Sequence, residues 1–166
     1  MHGFEDRFDP TGLLVDPSEL DGLDPVFTWL LHAGHAALTD ADLEPHALAA
    51  ADGPVVGAVV GNLSFPSRSM AAFADEVWRG GAGHVDPRNR FSSGLPALLL
   101  RRALGLRGGS FAIDAACASA LYAIGDACER LAGREVDVML AGAVNAADDL
   151  FIHAGFTALS LSLIHI

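Results

Sequence analysis

Ser110-Phe-Ala-Ile-Asp-Ala-Ala-Cys-Ala-Ser-Ala-Leu-Tyr-Ala-Ile-Gly125 decides how the rest of the chain is read. Phe111 to Ile113 is a short apolar run and predicts a buried strand ending at Asp114. Small residues follow through Ala120, with Cys117 among them. Beyond them Leu121, Ile124, Cys128 and Leu131 recur at spacings of three and four, which predicts a helix burying that face. A cysteine therefore stands where a strand passes into a helix. A helix N-terminus presents unpaired N–H groups and partial positive charge, which favour thiolate over thiol. Small neighbours leave the sulfur reachable, and strand–turn–helix is the geometry of a reactive elbow. Free cysteine is also among the most buried residue types. On spacing alone, a nucleophile and a small core residue are both open readings of Cys117.

Working outward, the helix is expected to end near Gly133, and Val136 to Val144 reads as a continuous apolar strand. Strand, helix and strand within residues 110–144 predict a βαβ unit, hence a parallel pair with a right-handed crossover. Upstream, Val55 to Val60 is a β-branched run bounded by Gly53-Pro54 and Gly61-Asn62. Being apolar throughout, it belongs inside a sheet covered on both faces. The Gly61 to Ser67 segment lacks the glycine pattern and lysine of a phosphate loop. Helices are expected over Val26–Leu38, with Val26, Leu30, Ala33 and Ala37 on one face, and over Ser69–Trp78. Another starts at a capping Ser93 and runs through Leu98 to Leu104, stopping at Gly105 or Gly108. Asp9-Pro10, Asp16-Pro17, Asp24-Pro25 and Glu44-Pro45 signal turns, and Gly80 to Asn89 a loop. His32 and His35 lie one helical turn apart, but no acidic or cysteine partner is placed to complete a metal site. Asp148 and Asp149 read as a solvated loop or a helix start.

At 166 residues the chain is long enough for one domain with a core. Its 51% hydrophobic content excludes a disordered composition. No uncharged apolar run reaches the roughly 18–20 residues of a membrane span. Glu5, Asp6 and Asp9 stand where a signal peptide would be basic and apolar, so a cytoplasmic chain is expected. If Cys117 and Cys128 share a helix, its rise sets them roughly 16 Å apart. A disulfide reaches only about 7 Å between Cα atoms, so two free thiols are expected. All ten basic residues are Arg, which excludes lysine-based chemistry within the chain. Residues 1–52 carry a net charge of −10 out of the total of −11, a balance that disfavours nucleic acid. Six Arg fall between Arg79 and Arg107, a cluster suited either to an acidic partner or to a solvated face.

Gly94-Leu-Pro-Ala and Leu104-Gly-Leu-Arg-Gly-Gly-Ser-Phe-Ala-Ile-Asp-Ala-Ala-Cys-Ala-Ser-Ala-Leu, with Asp137-Val-Met-Leu-Ala-Gly-Ala-Val-Asn and Gly155-Phe-Thr-Ala-Leu-Ser, now form a set. Together they resemble the N-terminal half of a β-ketoacyl synthase, a member of the thiolase-like family. Asp9-Pro10 and Leu23-Asp24-Pro25 are similar to the family's upstream pattern. Gly61-Asn-Leu-Ser-Phe-Pro-Ser and Ala146-Ala-Asp-Asp-Leu-Phe-Ile-His look most like synthases of iterative polyketide and polyunsaturated fatty acid systems. The resemblance implies an α/β thiolase-like fold, here its N-terminal half, with a mostly parallel sheet covered by helices. It spans a domain over residues 1–160, and Leu161-Ser-Leu-Ile-His-Ile breaks the family pattern as a foreign tail.

The resemblance also implies an acyltransferase of the 3-oxoacyl-acyl-carrier-protein synthase type. Cys117 would accept an acyl group from the phosphopantetheine of an acyl carrier protein, and its backbone N–H would serve in the oxyanion hole. Phe156 would line the acyl pocket, no metal or other cofactor would be bound, and a homodimer is expected. The family draws two His and a Lys from its C-terminal half, and none of these matches a residue of this chain; its first apolar strand is missing too. The chain alone is therefore expected to be inactive and to expose apolar surface meant to be covered. The alternative is a catalytically incomplete fragment serving only as a dimerisation or carrier-binding half. A third reading makes His153 a base toward Cys117.

Overall fold

Val56–Gly61 (β1) consists of β-branched and small residues and is buried along its whole length. The computed structural model describes residues 8–63, 67–81, 86–91, 93–146 and 149–160. Ser64 to Pro66, Asp148 and the 161–166 tail singled out above lie outside them. Ser110–Ile113 (β2) and Val138–Ala143 (β3) complete a three-stranded sheet in the order β2-β1-β3. Both pairings are parallel. The βαβ expectation makes β2 and β3 neighbours; instead β1 lies between them. The most apolar strand takes the position where both its edges and both its faces are covered.

The α-helices in chain order are Pro25–Asp40 (α1), Pro45–Ala49 (α2), Arg68–Trp78 (α3), Leu95–Ala103 (α4), Ser119–Ala132 (α5) and Asp149–Ala158 (α6). α1 starts where the Asp24 carboxylate accepts the Val26 N–H at 2.9 Å, with Pro25 in the first turn. The Glu44-Pro45 turn signal opens a short helix, because proline suits the first helical turn as well as a bend. Ser93 is not the cap of α4; that position is Gly94, without a side-chain cap bond, and the Ser93 carbonyl accepts from the Asn62 amide at 3.2 Å. Residues 87–91, within and just past the expected loop, form a 3₁₀ turn.

Alternate residues of β1 serve two layers. Val56, Ala58 and Val60 join α1 and α4 in the main core, with Phe27, Leu31, Leu38, Leu100 and Leu104 almost fully buried. The buried stripe of α1 is Phe27, Leu31, Gly34 and Leu38 with Val26 and Leu30, while Ala33 and Ala37 face outward. The larger side chains take the inside because each buries more apolar area than an alanine. On the other face Gly61 lies against Ser119 of α5, so close that a Cβ there would come within 2.8–2.9 Å of it. α5 therefore approaches with its small residues, burying Ser119, Ala123 and Ala127. The expected face is the wrong one: Leu121 is 72% exposed, Ile124 49%, and Cys128 and Leu131 are exposed as well. A strand that ends in Gly61 on this face seats the helix backbone closely and leaves no room for leucine between them.

Candidate active site

β2 runs into α5 through five residues that are held by two side chains. The Asp114 carboxylate accepts the Ala116 N–H at 2.9 Å. Ala116 has φ 49°, a left-handed conformation that costs a residue with a Cβ about 1–2 kcal/mol. The Ser119 hydroxyl accepts the Ala115 N–H at 2.9 Å and donates to the Ala116 carbonyl at 2.7 Å. Residues Ala116–Ala118 form one 3₁₀ turn ahead of α5, closed by the N–H groups of Ala118 and Ser119 on the carbonyls of Ala115 and Ala116. Cys117 sits inside this turn, where its own N–H is one of the donors a helix start leaves unspent. Its thiol is exposed and unpaired, so the core reading of Cys117 is excluded.

The thiol opens on a cavity of about 440 Å³ at the C-terminal ends of all three strands. Gly61 ends β1 and Leu63 follows it, Ala116 and Cys117 follow β2, and Val144 and Asn145 follow β3. Ligands of open parallel sheets bind at this edge, because loops diverge there from a rigid scaffold. α6 closes one side with Ile152 and Phe156, one turn apart and on one face. Phe156 is 39% exposed and stands in the same cavity as Cys117. Leu63, Ile152 and Phe156 make the walls apolar, suited to an alkyl or acyl chain rather than a charged group. Leu63 and Ile152 escape sequence reasoning; the four-residue spacing of Ile152 and Phe156 was the available signal.

His153 is exposed and does not line the cavity, which removes the reading of it as a base toward Cys117. It occupies the helix position next to Ile152, and a rotation of about 100° per residue turns it away. The described residues hold no group of three His, Cys, Asp or Glu able to take a metal ion. None of the helices among them is long and apolar enough to cross a membrane.

Most of the arginine cluster is spent within the chain. Arg88 pairs with Asp86 at 2.5 Å and donates to the carbonyls of Glu19 and Asp21. The Arg88 guanidinium holds the Asp86 carboxyl below the usual range. Arg102 pairs with Glu19 at 3.0 Å, Arg79 with Asp75 at 3.0 Å, and Arg107 donates to the carbonyls of Ala51 and Gly53. Arg102 thereby fastens the acidic N-terminal segment to α4, and Arg88 fastens it to the turn at residues 87–91. Arg107 holds the loop before β1, and Arg79 pairs at the end of its own helix.

Comparison with known proteins bears on both the fold and the cavity. A family model described as the beta-ketoacyl synthase N-terminal domain matches residues 1–163. A phenolphthiocerol/phthiocerol polyketide synthase of Mycobacterium tuberculosis is 32% identical over 158 residues, 95% of this chain and 8% of that protein. A solved PfaC keto synthase-chain length factor is 33% identical with a TM-score of 0.80, over 92% of this chain and 18% of that one. The ketosynthase from module 6 of the bacillaene synthase of Bacillus subtilis 168 has a TM-score of 0.68 at 23% identity, over 92% of this chain and 24% of that one, a likeness of fold alone. The chain thus spans less than a tenth of the mycobacterial synthase it matches.

Proposed function

The chain belongs to the β-ketoacyl synthase family through its N-terminal domain, and on that premise we propose that Cys117 is the acyl-accepting nucleophile of a ketosynthase. The observation that carries the reading is an exposed thiol on a strand-to-helix elbow, opening on an apolar cavity of about 440 Å³. The Cys117 thiolate attacks the carbonyl carbon of an acyl thioester on the phosphopantetheine of an acyl carrier protein. A new C–S bond forms, the old one breaks, and the carrier's sulfur leaves as a thiolate that takes a proton from water. The unspent Cys117 N–H donates to the carbonyl oxygen as it gains negative charge. Decarboxylation of a malonyl unit on the carrier then releases carbon dioxide and leaves a carbanion. That carbanion forms a C–C bond with the acyl carbon as the Cys117 C–S bond breaks, which restores the thiolate.

The finer assignments belong to the same proposal. Phe156 lines the acyl pocket, residues 1–160 form the ketosynthase segment with 161–166 as a tail outside the family pattern, and the protein is a cytoplasmic homodimer. The decarboxylating His pair and the Lys would come from the family's C-terminal half, so the chain alone accepts an acyl group and does not condense it. The reading of the chain as only a dimerisation or carrier-binding half is not favoured, because such a half has no use for an exposed thiol in a lined cavity. Incubation with a radiolabelled acyl thioester tests the proposal. Label is expected on Cys117 and absent from Cys117→Ala; equal labelling of that variant would remove the nucleophile.

A further inference from the structure

We propose that Ser119 is a positioning residue for the Cys117 thiol, acting through the backbone on either side of Ala116. The inference rests on Cys117 being the nucleophile, and its test separates the two ideas. Ser119 is 3% exposed, and its hydroxyl is committed in both directions within the elbow. It accepts the Ala115 N–H and donates to the Ala116 carbonyl, so it spans the one elbow residue held at positive φ. With Asp114 taking the Ala116 N–H, two side chains hold three of the four backbone polar groups of Ala115 and Ala116, and the Ala118 N–H takes the fourth, the Ala115 carbonyl. The residue that carries this hydroxyl is itself seated from outside the elbow. Gly61, at the end of the central strand, touches the Ser119 backbone and Cβ, so the lock stands on the most buried strand of the sheet. Without the hydroxyl, the part-buried Ala115 N–H loses this acceptor and Ala116 loses a restraint on its strained conformation. The sulfur and the adjacent N–H then no longer hold one geometry toward a thioester carbonyl.

Cys128, exposed on the same helix and outside the cavity, supplies an internal reference. The chain is incubated with an acyl N-acetylcysteamine thioester, and mass spectrometry of peptides follows acylation of each cysteine. Each transfer forms a C–S bond to the cysteine and releases N-acetylcysteamine as the thiol. In the unmodified chain Cys117 is expected to react faster than Cys128. If it does not, the nucleophile reading fails and this inference with it. Ser119→Ala is expected to lower the Cys117-to-Cys128 ratio about tenfold, on the order of one hydrogen bond. Ser119→Thr keeps the hydroxyl, and Ser119→Val has the shape of that threonine without it. The threonine variant is expected to stay within about threefold of the parent, and the valine variant to follow the alanine one. A ratio unchanged in Ser119→Ala, both cysteines changing in step, or threonine and valine variants behaving alike would overturn the proposal.

Discussion

Asp24 has no exposed surface and still holds four polar contacts together. Its carboxylate accepts from the Val26 N–H and the Ser67 hydroxyl, and its N–H donates to Asn89, which in turn donates to the Gly22 carbonyl. One residue thereby caps α1 and ties the segment after β1 to the 3₁₀ turn at residues 87–91. Asp24→Ala removes the cap and leaves a buried hydroxyl without that acceptor, and is expected to cost about 2–3 kcal/mol. Urea unfolding at an unchanged m-value measures it; a loss under about 0.5 kcal/mol, as for a surface site, would empty the network of importance. From the chain alone Asp24-Pro25 reads as a turn signal. Its partners stand 43 and 65 residues away, so their meeting is invisible until the fold forms.

At the scale of elements, the contact that sets the elbow is β1 against α5. Gly61 faces Ser119 with no space for a Cβ, and the opposing atoms are largely backbone, which cannot swing aside. Gly61→Ala is expected to push the first turn of α5 outward, costing about 1–3 kcal/mol in stability. The same change should slow acylation of Cys117 relative to Cys128, read by the peptide assay described above. A fully stable variant with an unchanged ratio would mean that the strand does not support the elbow. The elements themselves were legible. Strands at residues 56–61, 110–113 and 138–143 stand within two residues of the apolar runs that predicted them. Helices α1, α3, α4 and α5 stand on expected helices, while α2 lies at an expected turn and α6 begins at Asp149, read as a loop or a helix start. The faces were less so, because a three-and-four spacing marks a stripe without saying which side the partner occupies.

At the scale of the whole molecule, one side of the sheet carries a dense core and the other carries α5 with its larger apolar residues outward. Leu121, Tyr122, Ile124 and Leu131 are all exposed on that helix, and grouped exposed apolar side chains of this kind favour association. The chain by itself is expected to self-associate. Leu121→Glu with Ile124→Gln should reduce light scattering while moving the melting temperature by no more than about 2 °C, since neither side chain belongs to the core. A parent chain that is already monodisperse and monomeric would refute this.

Residues 110–125 by themselves determined that a cysteine stands between a strand and a helix, and with the segments around them they pointed to the family to which the chain belongs. Those features are local: apolar runs, helical periodicity and a short motif are complete within one stretch of chain. Only the tertiary structure decided that the thiol is exposed, that His153 turns away from it, and that Leu63 and Ile152 join Phe156, expected there from the family resemblance, in its cavity. It also decided that α5 meets the sheet through Ser119, Ala123 and Ala127. The physical reason is packing: a glycine at the end of one strand lets a distant helix approach with its smallest residues, and that choice depends on two surfaces that no single stretch contains.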